Sequence, residues 1–66
     1  MTEMDKKVIL ALADCGMRTA RAASKLYLHF NSVKYHIVRV RLETGLDPLC
    51  FYDLITLVEM VKAREE

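Results

Sequence analysis

The stretch "TARAASKLYLHFNSVKYHIV", Thr19 to Val38, decides how this chain of 66 residues folds. Ala22, Ala23 and Leu26 recur at helical spacing, and so do Val33, Ile37 and Val40 further on. Only the few residues Tyr27 to Phe30 separate the two stripes. So short a connection makes two helices cross steeply, which is the helix-turn-helix arrangement. Ala23 supplies the small side chain that lets the second helix approach, and Leu28 is the apolar plug after the turn. Tyr27 stands where many such motifs carry Gly. Spacing alone also fits another small bundle with an αα-hairpin, so the distribution of charge has to separate the two.

The net charge of the whole chain is +1. Residues 15–42 carry Arg18, Arg21, Lys25, Lys34, Arg39 and Arg41 and no Asp or Glu, a net of +6. The remainder sets four basic residues against nine acidic ones, a net of −5. A solvated helix face normally mixes signs. An acid-free window lying over the helix-turn-helix points to a polyanionic partner.

Outward from the motif, the chain reads as four short helices, all-α, in one domain spanning residues 1–66. The first runs from about Met4 to Ala13, with Val8, Ile9, Leu12 and Cys15 inward, and Gly16 ends it. The second starts with Thr19 as its expected N-cap. The third spans about residues 31–44, capped by Asn31 or Ser32, and Leu42 or Thr44 extends its buried stripe up to Gly45. The helix-turn-helix core thus covers about residues 19–44. The fourth helix covers about residues 48–64, with Asp47 as N-cap, Pro48 in the first helical position and Leu46 stapled onto Phe51.

A chain this short buries only about 60% of its unfolded surface, so it offers little pocket volume. No small-molecule site, cofactor or catalytic constellation is evident, and an enzyme is not expected. No apolar run reaches the ~20 residues that span a bilayer. "MTEMDKKVIL" has no signal-peptide core, and a cytoplasmic location is expected. Cys15 and Cys50, 35 positions apart, read as reduced, buried, small apolar residues. With His29 and His36 they lack the paired spacing of a zinc site, so no metal is expected.

The segment from about Cys15 onward resembles the C-terminal helix-turn-helix domain of PucR-type transcriptional regulators, which include the sugar-diacid regulators. The resemblance rests on Thr19 and the alanines after it, Leu26, His29, Asn31, Val33, Tyr35 and Ile37, and on "TGLD" from Thr44 to Asp47. It implies that His29 caps or braces the turn and that Tyr35 lies along the DNA-reading helix. Phe30 and His36 stand where the family usually has Arg, which removes permanent charge from the tip of that helix. Pro48 also follows Asp47 directly, whereas the family places its Asp-Pro a few residues later.

A helix in the major groove reads bases with its first turn and touches phosphates along its flanks. The expected DNA-binding residues are Arg18, Arg21, Lys25, His29, Phe30, Asn31, Ser32, Lys34, Tyr35 and Arg39. Asn31 suits a bidentate pair with adenine, or else it is the cap. Phe30 touches a thymine methyl, or else it belongs to a core or dimer contact. Lys34 and Arg39 suit phosphate, with a plain solvated face as the alternative. Arg18 and Arg21 meet the backbone beside the positive end of the second helix. His29 and His36 read as structural hydrogen-bonders, with no acid near them in sequence. "PLCFYDLITLVEMV" is apolar on more than one stripe, so Phe51, Tyr52, Ile55 and Val58 are the expected interface of a homodimer. The expected function is a transcription regulator that binds double-stranded DNA. The rival is a protein–protein adaptor that keeps the fold without tight DNA binding.

Overall fold

The computed structural model describes residues 1–64. Four helices follow one another: α1 (Glu3–Asp14), α2 (Thr19–Leu26), α3 (Phe30–Thr44) and α4 (Phe51–Arg64). α1 is the centre, and the other three helices all pack on it. Its Val8, Ile9 and Leu12 meet Ala22 and Ala23 of α2, Val33, Ile37 and Val40 of α3, and Leu54, Leu57 and Val61 of α4 in one core. These are the stripes that the periodicity predicts. Leu42 is the exception, being exposed. Cys15 and Cys50 are free thiols and only half-buried, because Cys15 already lies past the end of α1 and Cys50 sits before α4.

α1 starts with a capping box. The Asp5 amide donates to the Thr2 hydroxyl (3.1 Å), and the Thr2 amide donates to Asp5 Oδ2 (2.9 Å). At its other end the Met17 amide reaches back to the Leu12 carbonyl (2.7 Å) across Gly16, whose φ is +64°. That left-handed backbone is open to Gly without penalty.

α2 is not capped by Thr19. Arg18 occupies the N-cap position and makes no side-chain cap, so Thr19 is the first helical residue. α2 ends on a left-handed Tyr27 (φ +56°). The Tyr27 amide bonds to the Ser24 carbonyl (3.2 Å) and the Leu28 amide to the Ala23 carbonyl (2.9 Å), the paired bonds of a Schellman motif. Left-handed backbone costs an L-residue about 1–2 kcal/mol, and Tyr27 recovers nothing by packing, being 96% exposed. Replacing it by Gly relieves that strain against a smaller loss through the freer unfolded chain. Tyr27→Gly is therefore expected to raise stability by about 0.5–1 kcal/mol, read as a higher urea midpoint at unchanged slope.

α4 begins later than the Asp-Pro pair suggests. Residues 48–50 form a turn, with the Cys50 amide bonded to the Asp47 carbonyl (2.9 Å) and the Leu49 amide to the Asp47 carboxylate (2.9 Å). Asp47 thus closes the turn and does not cap α4. Asp53, in the first turn of α4, reaches back to accept from the Asp47 amide (3.0 Å). Pro48 is fully buried there, while Phe51 is exposed and so does not act as the partner of a tight staple with Leu46.

Candidate nucleic-acid interface

The α2–α3 connection is Tyr27, Leu28 and His29, and it fixes what α3 presents at its tip. α3 is capped by His29, not by Asn31 or Ser32: its ring Nδ1 accepts from the Asn31 amide (3.3 Å). Phe30 is therefore the first helical residue and Asn31 the second. The cap role is taken, and the exposed side chain of Asn31 is left for contacts outside the domain. Ser32 is half-buried, on the flank of α3 that also carries His36 and Arg39.

Val33, Ile37 and Val40 anchor one side of α3 in the core. The opposite side carries Asn31, Tyr35, Val38 and Leu42 at steps of three and four residues. Two cations flank this line and lean on aromatic rings one turn earlier. The Lys34 ammonium lies 5.6 Å from the Phe30 ring centre, and the Arg39 guanidinium 5.9 Å from that of Tyr35.

Arg39 has a second neighbour that the sequence did not announce. Asp5 of α1 is fully buried, and its Oδ1 lies 2.6 Å from His36 Nδ1 and 3.6 Å from Arg39 Nε. So His36 does have a carboxylate to orient it, 31 residues away along the chain. Burial alone would raise the Asp5 carboxyl. The Thr2 amide, His36, the Thr2 hydroxyl and the Arg39 charge together outweigh burial and hold it below the ordinary carboxylate range. The one available clue was that Asp5 falls on the apolar stripe of α1, one turn before Val8 and Ile9.

Arg18 and Arg21 are exposed at the start of α2. Lys25 is exposed too, but its ammonium is paired with Asp14 of α1 (3.2 Å). Of the six basic residues in the acid-free window, Arg18, Arg21, Lys34 and Arg41 form no ion pair among the described residues. The helix ends follow the same division. α1 has Glu3 and Asp5 in its first turn and α4 has Asp53, whereas α2 and α3 have no acid there. The positive ends of α2 and α3 are left uncompensated, which favours an anionic partner.

Along α4, Phe51, Tyr52 and Ile55 are exposed, and Val58 is half-buried. With Ala13, Gly16, Met17 and Leu54 they border an open apolar groove of about 600 Å³; Tyr52 alone stands outside it. Among the described residues no cluster of His, Cys, Asp and Glu is arranged to hold a metal ion. No described helix is long and apolar enough to cross a membrane.

The family model described as the PucR C-terminal helix-turn-helix domain matches residues 7–63. No curated protein and no solved structure matches the chain.

Proposed function

The chain belongs to the PucR C-terminal helix-turn-helix family, and from that premise we propose that it binds duplex DNA as the reading domain of a transcription regulator. α3 enters the major groove with Phe30, Asn31, Lys34 and Tyr35 at its leading end. Arg18 and Arg21 hold the phosphates beside the uncapped start of α2. Arg39 serves as a brace between Tyr35 and Asp5 as much as a phosphate contact. The domain does no chemistry of its own. Two copies act together, joined through Phe51, Tyr52, Ile55 and Val58 on α4.

The observation that carries this reading is the matched asymmetry of charge. Residues 15–42 carry no acidic side chain and neither α2 nor α3 has an acidic helix start, whereas the rest of the chain has both. Phosphate contacts release condensed counterions, so affinity falls with salt by about 0.9 per contact on logarithmic axes. Four unpaired cations predict a slope of about −3 to −4 per protomer on random duplex DNA. Lys34→Ala is expected to flatten it by about 1 while weakening all sequences alike. The measurement is fluorescence anisotropy across a salt series. A folded protein without detectable binding at low salt would leave the adaptor reading. That rival is favoured by one observation, the exposure of Val38 and Leu42 on the outer line of α3.

A further inference from the structure

The outer line of α3 is unusual for a helix that faces bases. It begins polar at Asn31, passes through Tyr35 and ends in two aliphatic side chains, Val38 at 41% exposure and Leu42 at 79%. No Arg or Lys stands on it. Lys34 and Arg41 lie on one flank, with Lys34 drawn over Phe30, and Arg39 lies on the other, drawn toward Asp5. A guanine is read in the major groove by a cation aimed at its O6 and N7. This helix aims none. Adenine is read by an amide, and Asn31 supplies one. The hydrocarbon group that a base edge shows in the major groove is the C5-methyl of thymine.

Resting on the DNA-binding reading above, we propose that α3 selects A·T base pairs and that Val38 and Leu42 do so by covering thymine methyls. From Asn31 to Leu42 the helix rises about 16 Å, close to the rise of five base pairs at about 3.4 Å per step. A helix that runs along the groove beyond its leading turn thus keeps the aliphatic pair in the same groove as Asn31. Burying these two side chains against methyls removes apolar surface from water, which is the stabilisation their exposure in the free domain withholds. The flanking cations supply affinity without sequence information, and the outer line supplies the choice of base.

The test compares three short duplexes: alternating A·T, the same duplex with every thymine replaced by uracil, and alternating G·C. Uracil keeps every hydrogen-bonding group of thymine and lacks only the methyl. The A·T duplex is expected to bind tighter than the A·U duplex by about four-fold for each methyl covered. That ratio is expected to stay constant between two salt concentrations, because both duplexes share the phosphate contacts. The G·C duplex is expected to bind weakest. In the double variant Val38→Ala, Leu42→Ala the preference for A·T over A·U should shrink to what Phe30 alone can give, about four-fold at most. Both positions are exposed, so circular dichroism should show an intact fold. Equal binding of A·T and A·U by the natural chain, or tighter binding of G·C, overturns the proposal while leaving DNA binding itself standing. No binding to any of the three overturns both, and Val38 and Leu42 are then part of a protein-facing surface.

Discussion

Asp5→Ala is expected to lower the stability of the domain by about 2–4 kcal/mol, a large share of what so small a chain has. The loss has two sources. The reciprocal half of the capping box disappears, leaving the Thr2 amide without its acceptor, which is worth about 1 kcal/mol. The remainder comes from α3, where His36 Nδ1 and Arg39 Nε lose the oxygen they share. A thermal melt should show the drop. The double variant Asp5→Ala, His36→Ala should fall short of the sum of the two singles, since each removes the same contact. The pH dependence follows from the direction of the carboxyl shift. Asp5 is held below its unfolded value of about 3.9, so the folded protein keeps it ionised where the unfolded chain would protonate it. Its contribution is present in full above that unfolded value and is lost as pH falls through the lower folded one. Asp5→Asn should remove that part of the acid sensitivity. Equal acid melts for the two proteins would rule out Asp5 as a source of it.

That pair also marks where the sequence stops being legible. The apolar stripes, Gly16 and Gly45, and the short helix-turn-helix connection are local signals, and the structure follows them. Three features that failed to show share one cause: the partner that decides them is distant, or belongs to a residue type with several roles. Asp5 and His36 are 31 positions apart, and only the packing of α3 on α1 brings them together. His29 caps α3 through a ring nitrogen, whereas residue type alone favours Asn31 and Ser32, two and three residues later, and only the family resemblance points to His29. Asp47 followed by Pro48 reads as a helix start, yet Asp53 reaches back to the Asp47 amide and makes the pair a turn. The site is legible in its charge and less so in its geometry. The window without acids names the face, but which cations are already engaged, Lys25 with Asp14 and Arg39 with Asp5, depends on the fold.

Ile55→Glu is expected to cost the DNA complex more than any single change among the proposed phosphate contacts. Ile55 points away from the core, so the carboxylate has solvent and the protomer should keep its fold. In a two-fold dimer the same carboxylate would be buried against an apolar patch, twice, since the interface is self-complementary. Taking a charge out of water without a partner costs several kcal/mol, enough to leave only monomers at micromolar concentration. The consequence for DNA is one of linkage. Two joined domains reach half-sites about 34 Å apart on one face of the duplex, and the second binds at the effective concentration set by the first. Severing them should lower affinity for a paired site by 10²-fold or more and leave affinity for a single half-site unchanged. Sedimentation velocity gives the assembly state, and titration of one- and two-site duplexes gives the coupling. A natural chain that sediments as a monomer, or a variant that binds the paired site as tightly, removes α4 from the interface. The groove beside Ala13 and Met17 is why a dimer is the expected outcome. Apolar surface of this kind, beside an exposed Phe51 and bordered by no described residue of α2 or α3, is what a second copy can cover without blocking the DNA.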